Sequence, residues 1–133
     1  MSYEEAIQKA GAEIHAFQNF GSYQGDWWAK VTFGAETGWI NGSYGSCSGC
    51  DAFESEFGYG SDKCDEHKYE SDEKAEGCEV CAEKKANYES RLIDFGKGYL
   101  GDIMTKEEAL AKASENLEWD MDAKEMVDFI AAN

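Results

Sequence analysis

The stretch CDEHKYESDEKAEGCEVC, residues 64–81, holds four side chains of the kind that bind metals, arranged as two short pairs. Cys64 and His67 form the first pair, Cys78 and Cys81 form the second, and two residues separate the members of each pair. Two intervening residues let a chain wrap one ion with both ligand atoms, and zinc takes four such ligands in a tetrahedron. The stretch has few apolar residues for a core, so it needs a metal to become ordered. The spacing therefore predicts a Zn2+ site.

A third pair, Cys47 and Cys50, leaves a second ligand set open. In that set Cys47 and Cys50 would join Cys78 and Cys81, as in zinc ribbons where a knuckle after a hairpin meets a pair at a helix start. The loop between the pairs would then be 27 residues long instead of ten. The extra cost of closing it is only about 0.9 kcal/mol, so loop length does not decide. The set with Cys64 and His67 is favoured because it is locally complete.

Charge is concentrated around the same stretch. The chain carries 28 acidic and 12 basic residues, a net charge of −16, and residues 51–83 alone hold 12 acids and 3 bases. Such a surface repels nucleic acid. It attracts a protein that has a basic nucleic-acid channel, and it steers the encounter. The residues predicted to contact such a partner are Glu66, Glu70, Asp72, Glu73 and Glu76.

Catalysis is not the expected role of the metal. A catalytic zinc needs an open coordination position and a nearby general base, and the sequence has no H-x-E or H-E-x-x-H pattern. The N-terminal residues lack the basic and apolar regions of a signal peptide, so the five cysteines are expected to be reduced rather than paired in disulfides. The chain is therefore expected not to be an enzyme. A zinc- or thiol-dependent enzyme that uses Cys47 and Cys50 is the alternative.

The sequence predicts an α+β domain covering residues 1–133, with an acidic metal-binding insert at 51–81. Aromatic and β-branched residues in 26–44 predict a β-hairpin, which would form the core of a small antiparallel sheet packed with several helices. Ile7, Ala10, Ile14 and Phe17 recur at helical spacing. The predicted helices cover residues 2–19 and 79–93, a segment opened by a Thr105–Glu108 capping box, and a last one opened by Asp122 and Glu125. Val80 is expected to be an apolar anchor of the helix 79–93. Residues 51–77, which are acidic and punctuated by glycines, are predicted to be a loop with short helical pieces.

The chain contains the motifs S-Y-Q-G-D at residues 22–26 and G-S-C-S-G-C-D at residues 45–51. With these two motifs the chain resembles a family of small bacteriophage proteins. The resemblance covers roughly residues 20–54 and implies a phage accessory gene with a helix–hairpin–helix body. It implies no activity. The family pattern does not require the pairs at Cys64/His67 and Cys78/Cys81, which would make them an addition in this member.

By size and charge the chain also resembles acidic metal-binding anti-CRISPR proteins, which inhibit RNA-guided nucleases by occupying a basic channel that DNA would use. This resemblance implies a non-enzymatic inhibitor in the host cytoplasm. Its partner would be a host nucleic-acid-handling protein, and the first candidate is a CRISPR effector nuclease. It would make no direct contact with nucleic acid or membrane. A structural accessory protein of the phage is the further alternative.

Overall fold

Six helices and three strands make up the part of the chain that the structure describes. The computed structural model describes residues 2–21, 24–45, 51–57, 63–64, 66–67, 70–115, 117 and 121–133. The elements are α1 Ser2–Lys9, β1 Glu13–Gly21, β2 Gly25–Phe33, β3 Glu36–Tyr44, α2 Ala52–Phe57, α3 Asp72–Ala75, α4 Glu79–Leu100, α5 Lys106–Ser114 and α6 Met121–Ala132. None of the helices in these ranges is long and apolar enough to cross a membrane.

The sheet is antiparallel, with the strand order β1-β2-β3. Successive residues of a strand point to opposite faces, so Trp27 and Trp28 of β2 enter two different cores. Trp27 packs with residues of α1 and α4, and Trp28 packs with residues of α5 and α6. Both side chains are at most 1% exposed. Helices therefore cover both faces of the sheet, and the predicted α+β class and the hairpin within 26–44 are confirmed.

The predicted helix over residues 2–19 is wrong beyond Lys9. Gly11 adopts φ +107°, a conformation that glycine reaches at no steric cost. Its amide donates to the Gln8 carbonyl (3.0 Å) and the Ala12 amide donates to the Ile7 carbonyl (3.3 Å). These two bonds form a Schellman motif, which satisfies the last carbonyls of α1 and turns the chain into β1.

A β-bulge explains why β1 looked helical in sequence. The register of β1 against β2 shifts between Ile14 and Ala16, and this shift leaves His15 as an extra residue. Ile14 pairs with Val31, and Phe17 pairs with Ala29, which lies two residues before Val31 in β2. Ile14 and Phe17 therefore share one face of the sheet although they are three residues apart. That spacing imitates the period of a helix.

The segment predicted as a loop with short helical pieces, 51–77, contributes to the body. Asp51 caps α2, because its carboxylate accepts a hydrogen bond from the Phe53 amide (2.9 Å) and another from the Tyr3 hydroxyl. Burial of Tyr3 and its bond to Asp51 raise the pKa of the Tyr3 phenol. Phe57, at the end of α2, is only 3% exposed. The short helix α2 is thus anchored to α1.

The capping box predicted at the start of α5 is confirmed. The Thr105 hydroxyl accepts from the Glu108 amide, and the Glu108 carboxylate accepts from the Thr105 amide, both at 3.1 Å.

We expect Thr105→Ala to lower the free energy of unfolding by about 1 kcal/mol in a urea titration. Ser90→Ala in exposed mid-helix is the control and should be neutral or slightly stabilising. Equal effects of the two changes would contradict a capping role.

Candidate metal centre

Each predicted ligand pair occupies a single turn of the chain. The His67 amide donates to the Cys64 carbonyl (3.1 Å), which closes a turn that brings both side chains to one side. Cys78 is the N-cap residue of α4, and the Ala82 amide donates to its carbonyl (3.0 Å) to form the first helical turn. Cys81 lies within that turn. Each pair with x2 spacing therefore brings its two side chains together within one turn, as the sequence predicts.

The four ligand atoms converge. The sulfurs of Cys64, Cys78 and Cys81 and the Nδ1 atom of His67 all lie within 4.8 Å of one another. The Cys64 sulfur is 3.3 Å from the Cys81 sulfur and 3.9 Å from the Cys78 sulfur. His67 Nδ1 is 3.1 Å from the Cys64 sulfur and 3.4 Å from the Cys81 sulfur.

These distances suit a tetrahedral metal site. Metal–sulfur bonds of about 2.3 Å and metal–nitrogen bonds of about 2.0–2.1 Å place two sulfurs about 3.8 Å apart and a sulfur and a nitrogen about 3.5 Å apart. The observed sulfur–sulfur separations of 3.3 and 3.9 Å lie on either side of the first value, and the sulfur–nitrogen separations of 3.1 and 3.4 Å lie slightly below the second. The sulfurs are also much too far apart for a disulfide, in which they lie about 2.05 Å apart, and the three cysteines are free. The arrangement is that of a metal site with three sulfur ligands and one nitrogen ligand.

Hydrogen bonds within the cluster prepare a thiolate. Burial raises the pKa of the Cys64 thiol, but hydrogen bonds from Cys81 and His67 outweigh burial and lower it to about 6. The Cys64 amide donates to the Cys81 sulfur (3.4 Å), which by itself lowers the pKa of Cys81. Burial and the neighbouring sulfurs of Cys64 and Cys78 raise that pKa to about 11. The cluster thus carries its first negative charge on Cys64, and a cation would displace the remaining protons.

The site lies at the end of a projecting helical arm. All six residues from Ala82 to Asn87 are exposed, although Cys81 on one side of them and Leu92 on the other are buried. Leu92 is eleven positions after Cys81, which at a rise of 1.5 Å per residue is about 16 Å along α4. We call residues 63–64, 66–67 and 70–87 the metal arm. It holds the cluster away from the three-layer body.

The base of the metal arm is fixed by contacts between α2 and α4. The Tyr88 ring meets the Phe57 ring edge-on at 5.1 Å, and the Arg91 guanidinium lies 5.2 Å from the centre of the same ring. Arg91 also pairs with the Glu56 carboxylate at 3.1 Å and donates to the Glu56 carbonyl. From the sequence, Arg91 is one of several basic residues of the predicted helix 79–93, with no contact assigned to it. A basic residue one helical turn beyond Tyr88, in a strongly acidic region, is the signal that could have found it.

The structure places most of the predicted partner-contact residues on the metal arm. Glu66, Glu73 and Glu76 are exposed. Glu70 is half-buried and pairs with Lys74 at 3.1 Å. The side chain of Asp72 lies outside what the structure describes, although its backbone belongs to α3. Glu79 and Glu83, which sequence reasoning did not select, are exposed on the same arm.

Two other predictions concern this region. Cys47 and Cys50 lie outside the described residues, so the second ligand set stays a prediction. Val80 was expected to be an apolar anchor of α4, and this is wrong because its side chain is 52% exposed. It lies between the predicted ligands Cys78 and Cys81, whose convergence on the cluster turns the intervening side chain outward.

Fold and site together define a class: a small α/β/α protein that carries a three-cysteine, one-histidine cluster at the end of a helical arm. Comparisons with protein-family models, curated proteins and solved structures give no match for the chain.

Proposed function

We propose that the protein is a phage-encoded, non-enzymatic inhibitor. In this proposal it binds a host nucleic-acid-handling protein in the host cytoplasm. The first candidate for this partner is a CRISPR effector nuclease. The contact is made by the acidic surface of the metal arm, which blocks DNA binding. The observation that carries the proposal is the exposure of Glu66, Glu73 and Glu76 around a cluster suited to a metal.

The proposed metal is Zn2+, bound by Cys64, His67, Cys78 and Cys81. Thiolate ligands favour zinc over magnesium or calcium, and tetrahedral geometry with sulfur and nitrogen ligands is typical of structural zinc. Four protein ligands fill the coordination sphere, so no position is left for a water molecule or a substrate. This closed donor set supports a structural role for the metal and a protein that is not an enzyme.

A metal at the end of the arm would make the acidic surface effective. Zinc would hold residues 64–81 in one arrangement before the partner arrives, which reduces the entropy lost on binding. The arm reaches about 16 Å beyond the first buried body residue of α4, so it can enter a groove that the body cannot. Its carboxylates would pair there with the lysines and arginines that otherwise hold phosphates. These features favour competition with DNA.

We expect the triple variant Glu66→Gln, Glu73→Gln, Glu76→Gln to bind its partner roughly tenfold more weakly, or worse, because three exposed ion pairs are lost. The measurement starts with affinity capture from a bacterial host lysate, with the zinc-loaded protein and washes at low and high salt. The captured protein is then purified. Its affinity for the protein and for DNA is measured, each in competition with the other.

A second triple variant controls for overall charge. Glu107→Gln, Glu115→Gln and Glu125→Gln change exposed residues of α5, its C-terminal end and α6, and they bring the net charge from −16 to the same −13. This variant should bind nearly as well as the wild type. The proposal fails if both triple variants lose affinity equally, if DNA does not compete, or if affinity is the same at low and high salt.

A further inference from the structure

The two edges of the sheet differ in what covers them. At the β3 edge, the Trp39 and Met104 amides each donate to the other residue's carbonyl at 2.8 Å. At the β1 edge, the part of the chain that the structure describes supplies no backbone hydrogen bond to the outer side of Glu13–Gly21. Among the residues that the structure describes, β1 is hydrogen-bonded to β2 alone. With respect to these residues, the outer side of β1 is an unpaired row of main-chain donors and acceptors.

The register identifies which groups face outward. A Cβ atom added to Gly25 of β2 would collide with the Phe20 carbonyl, so that carbonyl points toward β2. Main-chain groups alternate in direction along a strand, so those of Phe20 and Gln18 face β2. The amides and carbonyls of Phe17 and Asn19 face the open side.

This edge lacks most of the features that keep edge strands from pairing. Proteins protect such edges with lysine, proline, bulges or short strands. β1 is nine residues long, and its bulge affects only the start, between Ile14 and Ala16. From Ala16 to Gly21 the sequence AFQNFG contains no charge and no proline. An uncharged edge is notable in a chain with a net charge of −16.

We propose that β1 pairs antiparallel with β1 of a second copy of this chain, to form a continuous six-stranded sheet across a twofold axis. The strand is self-complementary when the axis passes between the two Gln18 residues. Phe17 of each copy then lies opposite Asn19 of the other, and their outward amides and carbonyls form four hydrogen bonds. Glu13 lies beyond the paired stretch, so no like charges face each other.

The side chains of β1 suit this pairing. Gln18 is exposed, and two glutamine amides opposite each other can donate and accept in both directions. On the other face Phe17 is only half-buried, although its ring stacks on Trp27 at 5.4 Å and 20°. A neighbouring strand would cover its open side. The edge therefore offers both hydrogen bonds and apolar area to a second copy.

Salt separates this inference from the proposed function. Two copies that each carry −16 repel one another, so higher salt should strengthen the dimer. Binding of the acidic arm to a basic partner should weaken under the same change. Failure of either proposal therefore leaves the other standing.

The test is sedimentation velocity of the zinc-loaded full chain over a roughly hundredfold range of protein concentration. It is run at about 0.1 M and about 1 M salt, where the screening length is about 10 Å and about 3 Å. We expect a monomer–dimer equilibrium that tightens at high salt. Hydrogen exchange of the Phe17 and Asn19 amides should slow as the protein concentration rises. A monomer under all conditions, or fast exchange of these amides in a dimer, overturns the proposal.

A pair of variants locates the contact. Gln18→Lys places two lysines opposite each other at the axis and should weaken the dimer about fivefold at the lower salt. Gln8→Lys makes the same change of charge on the exposed surface of α1, and should leave the dimer unchanged or slightly tighter. Equal dimer affinities for the two variants would place the interface elsewhere and overturn the proposal.

Discussion

Replacing Cys78 and Cys81 by serine is expected to abolish metal binding and to unfold the metal arm, while the body stays folded. Both side chains belong to the cluster, so two of the four proposed ligands are lost. Structural zinc sites of this kind contribute apparent free energies of about 10–16 kcal/mol to folding. The arm has no other source of comparable size, because residues 82–87 are exposed and Val80 is turned to solvent.

Three measurements check this result. Elemental analysis should give one zinc per wild-type chain and none per chain of the double variant. Hydrogen exchange should become fast between residues 63 and 87 and stay slow in the strands. Near-UV circular dichroism should be nearly unchanged, because Trp27, Trp28 and Trp39 lie in the cores of the body. Loss of the near-UV signal would show instead that the arm and the body fold as one unit.

The matched control decides between the two ligand sets. Cys47→Ser with Cys50→Ser removes the same number of thiols and should leave the zinc content at one. If this variant also loses the metal, the second ligand set, in which Cys47 and Cys50 join Cys78 and Cys81, is correct. If the Cys78, Cys81 double variant retains the metal, neither set describes the site.

The local parts of this structure were predictable from sequence because short-range geometry determines them. An x2 pair fits within one turn, so Cys64 with His67 and Cys78 with Cys81 each form half of the cluster whatever the rest of the chain does. The capping box at Thr105 is local in the same sense. Assigning the two pairs to one metal site needed only one further assumption, that a segment with few apolar residues is ordered by a metal.

Features that depend on distant contacts were missed. The apolar spacing from Ile7 to Phe17 fits a helix, and only the Schellman motif at Gly11 and the bulge at His15 separate it into α1 and β1. Gly11 was visible in the sequence as a helix stop. The bulge was not, because it depends on pairing with β2. The projection of the arm was equally hidden, since exposure of residues 82–87 depends on where the body ends.

The junction between α1 and α4 is expected to be the most sensitive point of the body. Gly96 is buried in α4, and a Cβ there would collide with the main-chain carbonyl of Ala6 and approach the Ala10 methyl at 3.0 Å. Gly96→Ala should lower the free energy of unfolding by about 1–3 kcal/mol, although alanine favours a helix by about 1 kcal/mol over glycine. The expected drop in melting temperature is about 4 °C per kcal/mol for a domain of this size.

Gly98, two residues along the same helix, supplies the matched control. It is exposed, and a Cβ there would meet nothing within 4 Å. Gly98→Ala should therefore gain the helix-propensity term without a collision and stabilise the protein by up to about 1 kcal/mol. The two substitutions are chemically identical and should have opposite signs, because only Gly96 faces the backbone of α1. Equal melting temperatures for the two variants would show that α1 and α4 do not approach this closely. The packing of the helical layer that supports the base of the metal arm would then be different from the one described.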